Sequence, residues 1–529
     1  MAKPAVDYSL YLVTGRDLLP PGKDYLESLE EALQGGVTLV QVREKTADTG
    51  EILDIARQTK ALCDRYNVPL IIDDRVDVAL AVGAAGVHLG QTDMPVPVAR
   101  ALLPPHAVIG KTCNTAAHVA AALADGADYV GLGPVWGTAT KRIAHPPAGP
   151  RGIAALLAPL AGTPVRAVAI AGINAANVLH CLWGATTPDG HTLDGVAVVS
   201  DIVASPEPRA AAQRLSTAIR AFYAAPHHTF ARAPSAPPYT ADALKAAAGA
   251  ILADIKRFAP LVHQITNNVV TTQSANATLA LGGSPIMATA PQEMADLSRA
   301  TGALLVNFGT IQNLDGMLEA GRHANMNRKP VVFDPVGVGA TAYRRESAQG
   351  LLRAWQATVI KGNAGELAAL ADSAEVQAKG VDSVGGFADP ARFVRDLARA
   401  HRCIVVLTGV VDWVSDGTHV ARLANGHALL GAITGSGCMV GTAVAAFCAG
   451  ASCAAAAARA ANAPEDGALV RGDMFLAAVG GVLAVTVAAE LAAARADVQG
   501  SGTFLPALID ELGRLGAEDF MQRANVALV

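Results

Sequence analysis

Arg43, Lys45 and Lys141, together with Asp74 and Asp93, make a set whose chemistry can be read from residue type alone. The cations suit a polyanion and the two carboxylates suit a hard divalent cation. Mg²⁺ prefers one or two carboxylates plus substrate phosphates, so the combination predicts a metal–pyrophosphate complex. Thr138, Thr140, Gly172 and Ser200 add donors suited to a phosphate monoester. A second set lies in the C-terminal half, where TGSGC (Thr434–Cys438) precedes a long run of small residues. A glycine-rich turn opening a helix points backbone N–H groups at an anion, here those from Gly435 to Cys438. FDPVGVGAT (Phe333–Thr341), IKGNAGEL (Ile360–Leu367) and LTG (Leu407–Gly409) bring Asp334, Asn363, Glu366 and Thr408 to one sheet edge. Asp334 and Glu366 suit metal or water-network ligation, and Lys361 and Thr408 suit contacts to nucleotide phosphates. Position, cation and oxyanion cradle are the parts phosphoryl transfer requires. No GxxxxGK[ST] occurs, which argues against the P-loop class.

These residues need elements to hold them. In the first half, short β-branched runs alternate with longer amphipathic segments. The predicted strands are Leu10–Val13, Thr38–Val42, Leu70–Ile72, Gly86–Leu89, Val108–Gly110, Tyr129–Gly131, Val165–Ile170 and Val196–Val199. Between them, Asp24–Gln34, Glu51–Tyr66, Ala116–Ala124 and Pro208–Tyr223 carry apolar residues at helical spacing. Strand-then-helix units in this number predict a TIM (β/α)8 barrel, whose chemistry sits at the C-terminal ends of the strands. QVREK (Gln41–Lys45), DDR (Asp73–Arg75), HLGQTD (His88–Asp93), KTCNT (Lys111–Thr115) and GLGPVWGTATK (Gly131–Lys141) each run off a predicted strand. In the second half Leu304–Asn307, Val331–Asp334, Val359–Lys361 and Ile404–Leu407 read as parallel strands buried on both faces, predicting an open α/β sheet with ligands beyond the strands' carboxyl ends.

Pro226–Thr240, PHHTFARAPSAPPYT, separates the halves and has neither hydrophobic period. Its prolines predict an extended spacer, with domains at 1–225 and 241–529 on either side. The 529 residues carry a net charge of −5 without a basic stripe, giving no reason to expect nucleic acid or an anionic membrane as partner. Seven scattered cysteines with no CxxC pair suggest a reducing compartment, and with no targeting segment at the N-terminus the expectation is cytoplasmic. The apolar stretches Leu423–Ala458 and Met474–Ala489 predict buried helices rather than membrane spans.

QVREK, IIDDR, HLGQTD, YVGLGPVWGTATK, the AGI turn at Ala171–Ile173 and VAVVSDI resemble the successive motifs of thiamine-phosphate synthase. That family is a TIM barrel joining 4-amino-2-methyl-5-hydroxymethylpyrimidine diphosphate to 4-methyl-5-hydroxyethylthiazole phosphate. The resemblance implies that Gln41, Arg43, Lys45, Asp73, Thr112 and Lys141 bind the pyrimidine diphosphate, with Arg43, Lys45 and Lys141 catalytic. It implies Mg²⁺ on Asp74 and Asp93, and the thiazole phosphate on Thr138, Thr140, Gly172, Val199 and Ser200. Asp73 stands where many members have Asn, Thr112 where Ser is common and Asn114 where His is common. HQITNNVV, GGSPIMA, NFGT, VVFDPVGVGAT, IKGNAGEL, LTGVVDWV and AITGSGCMVG resemble hydroxyethylthiazole kinase, a ribokinase-like fold using ATP and Mg²⁺. By that resemblance Met287 and Gly435 meet the thiazole alcohol, and Lys361 and Thr408 contact ATP beside Asp334, Asn363 and Glu366. Cys438 takes the proton-acceptor position, where related sugar kinases carry Asp. Kinases of this kind form trimers, so a homo-oligomer, trimer or hexamer, is implied. The intact acids, Lys141 and glycine cradle speak against a degenerate thiamin-phosphate-binding regulator. A kinase for another heteroaromatic alcohol, fused to a different phosphate-handling barrel, is the other alternative.

Overall fold

The computed structural model describes residues 5–138, 140, 145–225, 238–373, 377–379, 382–384 and 386–529. Lys141 and residues 226–237 of the predicted spacer lie outside the described residues. The chain divides into two compact units, Met1–Ala225 with Pro464–Gly467, and Pro226–Ala463 with Ala468–Val529.

In the first unit the strands are β1 Leu10–Val13, β2 Leu39–Val42, β3 Leu70–Asp73, β4 Gly86–Leu89, β5 Val108–Cys113, β6 Tyr129–Leu132, β7 Arg166–Ile170 and β8 Gly195–Val198. Each pairs in parallel with the next, and β8 returns to β1 with Leu10 opposite Val196, closing an eight-stranded barrel. Side chains alternate across a strand. Tyr11, Leu39, Ile71, Val108, Tyr129, Val168 and Ala197 therefore point inward together and form one apolar cluster. Two residues further along β2 and β3, and four further along β5, the same parity turns Gln41, Asp73 and Thr112 toward the barrel mouth. Helices lie between the strands, and two of them open on side-chain caps. Asp24 accepts from the N–H groups of Leu26 and Glu27 to open Tyr25–Gln34, and Thr115 accepts from His118 to open Ala116–Ala124.

The second unit is a nine-stranded sheet. Its strands are β9 Leu261–Ile265, β10 Ser284–Ile286, β11 Ala303–Asn307, β12 Val331–Asp334 and β13 Val359–Asn363. After the small hairpin of β14 Gln377–Lys379 and β15 Asp382–Val384 come β16 Ile404–Thr408, β17 Asp412–Ser415, β18 Val420–Leu423 and β19 Val526–Leu528. The order is β10-β9-β11-β12-β13-β16-β17-β18-β19. The six strands from β10 to β16 run parallel, as the second-half pattern predicts for four of them. The remaining edge is antiparallel, so the sheet is mixed rather than wholly parallel. Phe308, Phe333 and Trp355 anchor the core on one face. The helices Ser436–Ala458 and Met474–Ala493 are long and apolar enough to cross a membrane but are largely buried inside this unit. Gly481 lets them meet, since a Cβ there would lie 2.5 Å from the Val444 Cα.

Candidate active sites

The barrel mouth gathers residues from most of its strands. Gln41, Arg43, Lys45, Asp73, Asp74, Asp93, Thr112, Thr138, Thr140 and Val199 all line one cavity. Lys45 Nζ lies 2.8 Å from Asp73 Oδ2 and also pairs with Asp74, while Arg43 Nε approaches Asp73 at 3.7 Å. The cations are thus held against the acids.

The acids of this set suit a divalent cation. Asp74 sits in left-handed backbone at φ 58°, and its Oδ1 is buried without a hydrogen-bond partner. Burial, and then the neighbouring Asp74 carboxylate, push the Asp93 carboxyl above its usual range. Two crowded carboxylates, one with an orphaned oxygen, fit a hard cation that also takes substrate phosphate oxygens. Asp93 Oδ2 is fixed by the Gly90 N–H at 2.6 Å.

The late-barrel residues divide. Thr138 and Thr140 join their hydroxyls at 2.8 Å in the cavity wall. Gly172 turns at φ 72°, where a Cβ would lie 2.7 Å from the Gly137 carbonyl oxygen. Its neighbour Ala171, rather than Gly172, lines the cavity. Ser200 opens the short helix Ser200–Val203 on the exposed side and does not line the cavity either.

In the second unit, Lys361, Asn363, Glu366, Thr408 and the Thr434–Cys438 turn surround one cavity. Beneath it lies a buried pair, Lys361 Nζ at 3.2 Å from Asp334 Oδ1, with side-chain exposures of 4% and 0%. Burial disfavours the Lys361 charge, but Asp334 and then Glu366 outweigh it and raise the pKa above its usual range, so the ammonium persists. Asn307 Nδ2 donates to Asp334 Oδ2 at 2.9 Å and to Cys438 Sγ at 3.3 Å, and Asn267 Nδ2 donates to Asn307 Oδ1 at 2.8 Å. The helix Ser436–Ala458 comes close because it presents glycines. A Cβ on Gly437 would lie 3.3 Å from Lys361 Nζ and one on Gly441 3.0 Å from Asp334 Oδ2. Gly435, at φ 78°, caps that helix and faces its N–H groups to the cavity.

Glu366 is committed to the backbone. Its two carboxyl oxygens accept from Gly337 N (3.0 Å) and Asn363 N (2.9 Å), closing a capping box with Asn363 on the helix Ala364–Leu370. Burial, and then Asp334, push the Cys438 thiol above its ordinary range. Met287 follows β10, is half-buried, and does not line this cavity.

Sequence reading missed several members. Tyr11, Tyr129 and His88 form the polar floor of the barrel cavity, and Asn267 and Asn307 tie Cys438 to Asp334. Asp412 lines the cavity of the second unit, accepts from Gly409 N at 2.9 Å, and is pushed by burial to a pKa of about 7. The tyrosines read as core. A polar residue inside a strand, such as His88 in GVHL or Asn307 in ALLVN, was the available signal.

A barrel whose mouth combines cations with a carboxylate pair, joined to a sheet whose edge combines a glycine cradle with a buried lysine, defines an enzyme with two transferase heads. The family model "Thiamine monophosphate synthase" matches residues 10–202 and "Hydroxyethylthiazole kinase family" matches residues 252–518. A "Probable thiamine biosynthetic bifunctional enzyme" of Schizosaccharomyces pombe is 37% identical over 540 residues, covering 99% of both chains. The "Thiamine biosynthetic bifunctional enzyme" of Saccharomyces cerevisiae is 36% identical, covering 99% of this chain and 98% of its own. A "Hydroxyethylthiazole kinase" of Listeria monocytogenes is 41% identical over 277 residues, 52% of this chain and 95% of that one. The chain belongs to the family of thiamine biosynthetic bifunctional enzymes, with a thiamine phosphate synthase barrel and a hydroxyethylthiazole kinase domain.

Proposed function

We propose that the two heads perform consecutive steps: the sheet domain moves the γ-phosphoryl of ATP onto the hydroxyl of 4-methyl-5-(2-hydroxyethyl)thiazole, and the barrel consumes the product. There, the C–O bond of the pyrimidine diphosphate breaks, pyrophosphate leaves, and the thiazole nitrogen forms the new C–N bond to give thiamine phosphate. The observation that carries the barrel reading is the convergence of Gln41, Arg43, Lys45, Asp73, Asp74, Asp93 and Thr112 on one cavity. Mg²⁺ on Asp74 and Asp93 would supply charge for the departing pyrophosphate. Arg43 and Lys45 act in the same direction, giving up their carboxylate partners for the leaving group as its charge grows, and Lys141 adds a third cation to the set. Thr138 and Thr140, with the backbone at Gly172, Val199 and Ser200, receive the thiazole phosphate.

In the kinase head, the N–H groups from Gly435 to Cys438 and the Lys361 ammonium cradle the transferring phosphoryl group. Thr408 and Asn363 flank the nucleotide side, and Mg²⁺ bound with ATP would supply further charge there, with Asp334 and Glu366 as the nearby acids. The raised thiol pKa supports Cys438 as part of this cradle rather than as a base at neutral pH. Met287 serves the thiazole pocket in an assembled trimer or hexamer. The domains run 1–225 and 241–529, with Pro226–Thr240 as their spacer, and the enzyme works in the cytoplasm. The full chain supplied with thiazole alcohol, ATP, Mg²⁺ and pyrimidine diphosphate is expected to release thiamine phosphate and pyrophosphate. Failure of both isolated half-reactions would overturn the reading.

A further inference from the structure

A continuous hydrogen-bonded chain crosses the floor of the barrel cavity. Gln41 Nε2 donates to the Tyr11 hydroxyl at 2.6 Å, and the Tyr11 and Tyr129 hydroxyls are 2.8 Å apart. Tyr129 then lies 3.0 Å from His88 Nδ1, and His88 Nε2 lies 2.8 Å from Thr112 Oγ1. The members come from β2, β1, β6, β4 and β5, so the chain ties opposite walls together. Its middle is dry, with Tyr11 1% and Tyr129 0% exposed. The fold makes room for it: a Cβ on Gly110 would fall 2.1 Å from the Tyr129 ring.

Counting hydrogens gives the chain a direction. A hydroxyl has one hydrogen to donate, and a neutral imidazole donates from one nitrogen and accepts at the other. Because the Gln41 amide donates into Tyr11, Tyr11 passes its hydrogen to Tyr129, and Tyr129 passes its own to His88 Nδ1. His88 then donates from Nε2 to Thr112 Oγ1, and the Thr112 hydroxyl hydrogen remains for the cavity. At the other end, the amide orientation leaves Gln41 Oε1 as its acceptor for a ligand. Both end residues line the cavity, whereas Tyr129 does not.

We propose that Tyr11 and Tyr129 are positioning residues that fix the Gln41 amide through this chain, making the barrel select a ring substrate with an amino group, not an oxo group, where it meets Gln41. The same polarity turns the Thr112 hydroxyl toward the diphosphate. The inference rests on the pyrimidine diphosphate reading of the barrel. Removing the Tyr129 hydroxyl acts at a distance: Tyr11 loses its acceptor, can turn its hydrogen back to Gln41, and the amide becomes free to invert.

The test compares kcat/KM for the 4-amino and 4-oxo forms of 2-methyl-5-hydroxymethylpyrimidine diphosphate, using the full chain, Tyr11→Phe and Tyr129→Phe. Because the two substrates are compared within one preparation, partial unfolding cancels from their ratio, and thermal unfolding is followed in parallel. The unmodified chain should prefer the amino form by about 10³-fold or more, as expected of a site whose buried polar groups are built to pair. Both variants should lower that preference at least about tenfold, mainly through KM, the effect of one lost hydrogen bond. An unchanged ratio in both variants, whatever happens to Tm, would overturn the inference. So would a drop confined to Tyr11→Phe, because the chain would then have no reach beyond direct contact. If the unmodified chain turned over neither substrate, the barrel reading itself would fall, and the inference with it.

Discussion

The two anion-binding regions use opposite electrostatic designs. At the barrel mouth the charges are partly solvated: the side chains of Lys45 and Asp74 are 39% and 26% exposed, and Lys45 shares itself between Asp73 and Asp74. At the sheet edge Lys361 and Asp334 face each other almost without water, at 4% and 0%. Exposed ion pairs contribute little to stability, whereas a buried pair that loses one member leaves an uncompensated charge. The barrel's charges are therefore separable from its fold, and those of the sheet are not.

The largest break in this comparison is expected from Asp334→Ala. It should abolish kinase turnover and destabilise the sheet domain by about 3–5 kcal/mol, because Lys361 is left buried and unpaired. Denaturant unfolding together with separate assays of the two half-reactions would measure both effects.

Asp93→Ala is the counterpart. Synthase activity should fall about 10²–10³-fold with the loss of a metal ligand, while stability moves by only about 1 kcal/mol and kinase turnover is unchanged. Near-normal coupling in saturating Mg²⁺ would refute the shared-metal assignment.

Cys438→Ala sharpens the contrast inside the kinase. A general base is typically worth about 10²–10⁴-fold, so a retained turnover within about tenfold at pH 7.5 is expected of a thiol that only completes the cradle. The larger loss, measured with the thiazole alcohol, would make it the base.

Asp412→Asn should change the two turnovers least and carry instead a distinctive pH signature in stability. The folded carboxyl titrates near 7 because burial raises it, while the unfolded one titrates near the ordinary carboxylate value of about 4. The native state therefore binds the extra proton between these values, and stability falls as pH rises through them. Unfolding curves of Asp412→Asn should match those of the unmodified chain near pH 4 and show higher stability near pH 8. Parallel curves at all pH values would deny the shift.

The barrel was legible because each strand is a short β-branched run followed by a helical period, and because strand ends carry the polar residues. Every predicted barrel strand recurs within a few residues of its boundary, including Leu10–Val13 and Gly86–Leu89 unchanged. The sheet's outer strands were less legible for physical reasons. LVHQI of β9 interrupts its apolar run with His263 and Gln264, which the fold buries by pairing them to the Ala288 carbonyl and to Thr278. β19 has three residues and pairs with β18 a hundred positions earlier, a match local patterning does not signal. Asp334 and Lys361 were each visible as polar residues at strand ends. Their ion pair depends on the β12–β13 register, in which Phe333 lies opposite Ile360. Likewise the tyrosines of the barrel floor have core composition, and only the closed barrel brings their hydroxyls together.

The most direct test of two separable heads is a single assay on Asp334→Asn, following thiamine phosphate formation from pyrimidine diphosphate in Mg²⁺. Supplied with thiazole alcohol and ATP, the variant should make no product; supplied with thiazole phosphate, it should run at the rate of the unmodified chain. Loss of product with both acceptors would contradict the account, since the barrel would then depend on the charge at the sheet edge.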